Sequence, residues 1–138
     1  MHDVPRAAQD YLPDQIKIPG LVPAHFPRVV RLLNQEDFNF VFADARPFRS
    51  RAFTLLVRNN NLTHPRLGLA ISKKAVRRSV DRNRLKRLVR ETFRNRLNQL
   101  PGVDIVVLAK PEAVNMRNHE ITQILAQQWA RIADNSIK

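Results

Sequence analysis

The sequence predicts an α+β fold: a single-domain α-β sandwich in which a small sheet has helices packed against it. Three observations predict it. Apolar residues recur at helical spacing in three segments, strand-like apolar runs lie between those segments, and Pro, Gly or Asn breakers separate the two kinds. The chain has 138 residues and is 43% hydrophobic, which suits one domain with its own core.

The first 24 residues are expected to form a flexible extension ahead of a domain spanning 25–135. They hold four of the nine prolines and show no sustained periodicity. They lack the basic start and apolar block of a secretory signal, and no apolar run in the chain reaches the length of a membrane span. A cytoplasmic protein without membrane contact is the simplest interpretation.

A short first helix is expected in "NQEDFNFVFADA". Asn34 suits the N-cap, and Glu36 and Asp37 fall in the first turn, where the helix dipole favours acids. Pro47 ends the helix. One face carries the apolar residues Phe38, Val41, Phe42 and Ala45.

Strands are expected in "SRAFTLLVRNN", in "RLGLAISKK" and in "VDIVVLA", and a further one is compatible with residues 46–50. The first two runs flank the turn "NNNLTHP", which predicts a hairpin or near-hairpin between them. In the second run bulky Leu67, Leu69 and Ile71 alternate with small residues.

Two further helices complete the pattern. One runs from about Ser79 to Leu97 without Pro or Gly. The last has an apolar stripe at helical spacing, formed by Ile121, Ile124, Leu125, Gln128, Trp129 and Ile132.

Charge is the strongest indication of function. The net charge is +12, and residues 72–94 contain ten Lys or Arg against two acids. Such an excess predicts attraction to nucleic acid or to anionic lipid. A solvated helix face is the alternative, but such a face normally mixes its signs.

The basic helix divides into two sides at about 100° per residue. Its apolar side comprises Leu85, Leu88, Val89, Thr92 and Phe93. The other side forms a cationic ridge, which we define as Asn83, Lys86, Arg87, Arg90 and Arg94, with Arg82 and Arg84 at the margins. Arginine suits bidentate phosphate contacts. A membrane surface fits less well, because the apolar side is needed for the core.

Catalytic chemistry is not evident in the sequence. There are no cysteines, the four histidines are scattered, and no P-loop or nucleophile elbow occurs. Asp81 and Glu91 are interpreted as charge partners of arginines and not as an acid–base pair. We therefore predict no catalytic residue and no metal ligand in the protein itself.

The segment "RNRLKRLVRETFR" resembles the signature helix of the bacterial ribonuclease P protein family. "FPRVVRLLNQEDFNFVF", "HPRLGLAISKKAVRRSVDRNR" and "LPGVDIVVLAKP" resemble other segments of that family, in the same order. The similarity covers roughly residues 26–132 and leaves out the first 24.

This resemblance implies the order αβββαβα and a fold like domain 2 of ribosomal protein S5, with a left-handed βαβ crossover. It also implies a subunit of a ribonucleoprotein endonuclease that removes the 5′ leader from precursor tRNA. The RNA subunit would perform the hydrolysis with Mg²⁺. The protein, one per RNA and without a cofactor of its own, would bind that RNA and the leader.

The resemblance further implies two sets of site residues. The RNA subunit would be bound by Lys73, Lys74, Arg77, Arg78, Arg82, Asn83, Arg84, Lys86, Arg87 and Arg90. The leader would lie in a cleft between the first helix and the sheet, lined by Phe38, Phe42, Thr54, Leu56 and Arg58. Where this chain has Leu56, family members often have an aromatic residue. Room for a strand on the sheet is expected at Gly68, Ala70 and Ser72.

Two alternatives stay open on the sequence alone. Phe38 and Phe42 are also explained by ordinary core packing. The whole chain is also compatible with a general RNA-binding or ribosomal-type protein outside any enzyme.

Overall fold

The computed structural model describes residues 30–32 and 34–136, so the predicted extension 1–24 lies outside the described residues. The elements are α1 Gln35–Ala43, β1 Arg46–Arg49, β2 Phe53–Asn59, β3 Arg66–Leu69, α2 Ser79–Arg94, β4 Val103–Ala109 and α3 Asn118–Ser136. Short 3₁₀ helices occupy Leu97–Gln99 and Pro111–Asn115. The αβββαβα order is confirmed, and the additional strand near residues 46–50 is β1.

The four strands form one sheet in the order β1-β2-β4-β3. β1 pairs with β2 and β2 with β4 in antiparallel fashion, whereas β3 and β4 are parallel. The predicted hairpin between β2 and β3 is wrong, because β4 lies between them. The reason is burial: the first five residues of β4 are all buried, as a strand needs to be when both faces of the sheet are covered.

The unit β3–α2–β4 is a crossover connection between parallel strands. The left hand that the family resemblance implies for this crossover stays a prediction. Leu32 donates its N–H to the carbonyl of Leu67 at 2.9 Å, so the chain before α1 covers part of the outer edge of β3.

One face of the sheet packs against α2 and α3 and forms the main core. Phe53, Leu55 and Val57 of β2 point into it, and all three are buried. The helices contribute Leu85, Leu88, Val89, Phe93, Ile121, Leu125, Trp129 and Ile132. The predicted apolar stripes of both helices are therefore confirmed. Inside this core the indole N–H of Trp129 donates to Thr92 Oγ1 at 2.9 Å.

The opposite face of the sheet is covered by α1, which completes a sandwich of helix, sheet and helices. Val41 is fully buried there with Leu32 and Val106. The Asn34 side chain accepts a hydrogen bond from the N–H of Asp37 at 3.0 Å, which confirms it as the N-cap. α1 ends at Ala43, so Ala45 packs beside the helix and not within it.

A buried ion pair fixes the end of the sheet beneath α1. The Asp104 carboxylate is fully buried and accepts two hydrogen bonds from Arg66, at 2.8 and 2.6 Å, and a third from Asn60 Nδ2 at 2.8 Å. Hydrogen bonding to Asp104 raises the pKa of Arg66 above its usual value, although burial opposes this. Arg66 also lies 3.8 Å from Asp37, which links the sheet to α1.

Candidate nucleic-acid interface

The cationic ridge lies on the outer side of α2, above the buried side chains. Leu85, Val89 and Phe93 are completely buried, so the core fixes the orientation of the helix. Arg87 is exposed, and Lys86 and Arg94 are half-buried. Within residues 34–136, no carboxylate forms an ion pair with any of these three side chains. The helix therefore presents unneutralised positive charge in a fixed position.

The chain leading into α2 extends this positive surface. We call residues 72–78 the entry loop. Its four basic side chains are all exposed: Lys73, Lys74, Arg77 and Arg78. Arg78 lies 4.0 Å from Asp81, but its side chain is 77% exposed, so this pair contributes little. The entry loop and the ridge together hold eight of the ten predicted RNA-binding residues.

Arg82 and Arg84, the other two predicted RNA-binding residues, have inward-facing guanidinium groups. Arg82 Nη1 donates to the carbonyls of Val76 and Arg77 at 3.0 and 2.8 Å. These bonds close the entry loop onto the first turn of α2. The structure thus gives Arg82 an internal partner on the loop that carries the exposed cations.

Arg84 connects α2 to the segment before α3. Its guanidinium donates to the carbonyls of Val114 and Met116 at 3.1 and 3.3 Å, and to Asn118 Oδ1 at 2.7 Å. Sequence analysis did not identify this role. Arg82 and Arg84 lie between the two sides of the helix, and this position was the one sequence feature that could indicate a role in holding neighbouring segments.

On the other face of the sheet, the ring of Phe38 fills the space above Gly68. A β-carbon on residue 68 would lie 2.7 Å from the ring and 2.9 Å from Leu32 Cδ1. The expectation that Gly68 leaves room for a nucleic-acid strand is therefore wrong. Ala70 also packs against the cluster under α1. Phe38 is half-buried and packs against the cluster under α1, whereas Phe42 is 47% exposed.

The three predicted leader residues of β2 do share one face of the sheet. Thr54, Leu56 and Arg58 alternate with the core residues and are half-buried. Leu56 packs against the cluster of Val41 and Val106. Phe42 is exposed and these three residues of β2 are half-buried, and we call the four together the predicted leader cleft.

Arg58 has a structural partner on α1. Its Nη1 donates to the carbonyl of Phe40 at 2.6 Å, and its guanidinium carbon lies 3.9 Å from the centre of the Phe40 ring. Sequence analysis missed Phe40, which is on the opposite flank of α1 from Phe42. Arg58 thus holds one side of α1 against the sheet by a cation–π contact and a hydrogen bond.

Neither a metal-binding group nor a membrane-spanning helix is found among the described residues. Among the described residues no group of three or more His, Cys, Asp or Glu side chains could hold a metal ion. In the same part of the chain no helix has the length and apolarity required to cross a bilayer.

The fold and site define a small α+β protein with a preformed, arginine-rich surface on one helix. Comparison with known proteins gives the family: its sequence model, Ribonuclease P, matches residues 26–133. The chain belongs to the ribonuclease P protein family, and membership makes it a subunit of the holoenzyme that processes the 5′ ends of tRNA. This confirms the resemblance found in the sequence and decides against an RNA-binding protein outside any enzyme.

Relatives and solved structures are similar to this chain over most of its length. The ribonuclease P protein component of Thioalkalivibrio sulfidiphilus is 51% identical over 108 residues, which is 78% of this chain and 90% of the relative. That of Aliivibrio fischeri is 46% identical over 108 residues, covering 78% and 92%. The Staphylococcus aureus RNase P protein structure superposes with a TM-score of 0.68 at 30% identity, covering 75% and 94% of the two chains. The Thermotoga maritima RNase P protein gives 0.67 at 30% identity, covering 74% and 96%.

Proposed function

We propose that the protein binds the ribonuclease P RNA subunit through the cationic ridge and the entry loop. It would hold the 5′ leader of precursor tRNA in the leader cleft. One observation carries the proposal: Lys86, Arg87 and Arg94 form no ion pair with a described residue, on a helix whose opposite side is buried. Uncompensated charge in a fixed position favours a folded polyanion over mobile counterions.

The direct contacts to the RNA subunit would come from the outward-facing side chains. In the entry loop these are Lys73, Lys74, Arg77 and Arg78, and on α2 they are Asn83, Lys86, Arg87 and Arg90. Arg82 and Arg84 would act mainly through the backbone segments that they hold. Because those segments are already fixed, binding costs less conformational entropy.

The leader cleft would bind a single strand through one aromatic ring and one strand face. Phe42 offers an exposed ring on which a base can stack. Thr54 and Leu56 provide a half-buried floor beside it. Leu56 would give apolar contact in place of stacking. Arg58 would support the cleft by holding α1, and Phe38, which packs against the cluster under α1, would support it from that side.

Catalysis belongs, in this proposal, to the RNA subunit and its Mg²⁺ ions. The protein would contribute substrate and RNA binding, as one copy per RNA in the cytoplasm.

Reconstitution tests the proposal. The protein is added to a bacterial ribonuclease P RNA at a Mg²⁺ concentration where the RNA alone cleaves precursor tRNA slowly. We expect faster removal of the 5′ leader, and a weaker effect of a variant in which Lys86, Arg87 and Arg94 are all glutamine. No stimulation by the wild-type protein would overturn the proposal.

A further inference from the structure

A pocket outside both proposed sites lies between the entry loop and the 3₁₀ helix Pro111–Asn115. Its volume is about 620 Å³. Its apolar lining residues are Ala75, Pro111 and Val114, which we call the floor. Its polar lining residues are Arg77, Arg78, Asp81 and Asn115, which we call the rim. An apolar floor with a mixed-charge rim is suited to a ligand that is flat and apolar at one end and anionic at the other.

The two inward-facing arginines of α2 hold the two walls of this pocket. Arg82 bonds to the carbonyls of Val76 and Arg77 on the entry-loop wall. Arg84 bonds to the carbonyls of Val114 and Met116 on the opposite wall. Both arginines project from one rigid helix, so the distance between the walls is set before any ligand arrives. The pocket is preformed.

Two rim residues, Asp81 and Arg78, have hydrogen-bonding capacity that the described residues do not use. The Asp81 side chain is only 19% exposed, and no described residue donates a hydrogen bond to its carboxylate; Arg78 Nε is 4.0 Å away. Arg78 occupies the N-cap position of α2, and its side chain makes no cap hydrogen bond. A carboxylate and an exposed guanidinium, paired only at 4.0 Å, therefore line the same pocket, where each can bind a different part of one ligand.

We propose that this pocket receives one unstacked nucleotide of the ribonuclease P RNA, an inference that rests on the proposed function. The base would lie on Ala75, Pro111 and Val114. Its exocyclic amino group would donate to Asp81, which selects adenine, cytosine or guanine over uracil. The phosphate would bind Arg77 and Arg78. Bulged and looped RNA presents such single bases, and proteins read them by stacking and by hydrogen bonds to base edges.

Location and charge favour a nucleotide over a peptide or a lipid. The pocket is lined by Arg77 and Arg78 of the entry loop, which also carries the exposed Lys73 and Lys74, so a polyanion bound to that loop would pass its mouth. An acidic peptide would use the arginines but would leave the apolar floor empty. The same surface that binds the RNA backbone would thus also recognise one base.

The first test uses the isolated protein and the four 5′-nucleoside monophosphates as probes. ¹H–¹⁵N spectra are recorded during titration with AMP, CMP, GMP and UMP. We expect shifts confined to residues 75–81 and 111–115, with UMP binding at least about five-fold more weakly because it lacks the amino group. Shifts spread evenly over all basic surfaces, or none at the pocket, would overturn the proposal.

The second test fills the pocket without changing charge. Val114→Phe, and Ala75→Leu from the opposite wall, are each assayed for RNA-subunit affinity after thermal unfolding has verified folding. We expect about ten-fold weaker binding with a salt dependence that changes little, because Arg77 and Arg78 stay in place to bind phosphate. Leu62→Phe, at an exposed position in the β2–β3 connection, is the control and should bind like wild type.

The two proposals fail in different ways. If the wild-type protein does not bind the RNA subunit, the proposed function is wrong. If the wild type binds and the filled variants bind equally well, only the nucleotide pocket is wrong. Should both variants fail to fold, the titration of the wild-type protein decides alone.

Discussion

The ring of Phe38 lies where a β-carbon on Gly68 would have to be, with Cε1 and Cζ each 2.7 Å from that position. Glycine is required here for close approach and not for an unusual backbone angle, because residue 68 lies in the regular strand β3. This contact lets α1 lie close to the sheet.

Gly68→Ala should therefore destabilise the protein by about 1–3 kcal/mol, because an inserted methyl group overpacks a rigid ring contact. Urea unfolding of the full chain measures this. The same Gly68→Ala substitution is then measured in a Phe38→Ala protein. Once the ring is gone, Gly68→Ala should cost much less, giving clear non-additivity. Additive costs in the double variant would show that the ring does not occupy this space.

Arg84 and Arg87 are three residues apart on α2 and should respond oppositely to alanine. Arg84→Ala removes hydrogen bonds to Val114, Met116 and Asn118 and should lower the unfolding free energy by about 1–3 kcal/mol. Arg87→Ala removes an exposed side chain and should leave stability within about 0.5 kcal/mol.

RNA-subunit affinity provides the second half of this comparison. Arg87→Ala should weaken binding directly, although the fold is intact. Unfolding curves and binding isotherms are recorded for both variants. A stable Arg84→Ala protein together with an unfolded Arg87→Ala protein would reverse the assignment of the inward and outward arginines.

Phe42→Ala should reduce the preference for precursor over mature tRNA by about ten-fold, the order expected when one base loses its stacking partner. Because Phe42 is 47% exposed, the fold should persist. Competitive binding of the two tRNAs by the holoenzyme measures the preference. Leu62→Ala removes another exposed apolar side chain and should leave it unchanged. Equal preferences for wild type and Phe42→Ala would remove this ring from the leader cleft.

Glu120 should make stability depend on pH in the acid range. Its Oε1 accepts a hydrogen bond from the backbone N–H of Arg117 at 2.9 Å, and this lowers the pKa of Glu120 below its usual value. A lowered folded-state pKa stabilises the fold above the unfolded-state pKa, and that contribution is lost as pH falls through the folded-state value.

Thermal unfolding of wild type and Glu120→Ala across a pH series tests this. The difference in Tm should be largest near neutral pH and should shrink as the solution becomes more acidic than the folded-state pKa. A difference that stays constant into strong acid would mean that the charge of Glu120 has no part in capping α3.

Local features of the fold could be predicted well from the sequence. The buried positions of Leu85, Val89 and Phe93 follow from helical periodicity. The Asn34 cap follows from an amide oxygen that can accept a hydrogen bond at a helix start. Each depends on residues a few positions apart. The cationic ridge followed from the same periodicity, because its charged residues lie opposite these buried side chains.

Relationships between distant segments could not be predicted. The position of β4 between β2 and β3 depends on which strand is covered on both faces, and the turn sequence does not encode that. Likewise the inward orientation of Arg84 depends on carbonyl groups about 30 residues further along the chain. The contact of Phe38 with Gly68 also joins separate elements. The sequence around Gly68 therefore does not show that a ring fills the space above it.

The most direct test of the central claim compares two triple variants of equal charge in RNA-subunit binding. One replaces Lys86, Arg87 and Arg94 with glutamine, and the other replaces the exposed Arg46, Arg49 and Arg51. The measurement is the slope of log affinity against log salt concentration. The account predicts that the ridge variant loses about 0.7 to 0.9 of slope per lost phosphate contact, with a large drop in affinity. It predicts near wild-type behaviour for the other variant. Equal losses in the two variants would show that net charge, and not the surface of α2, attracts the RNA.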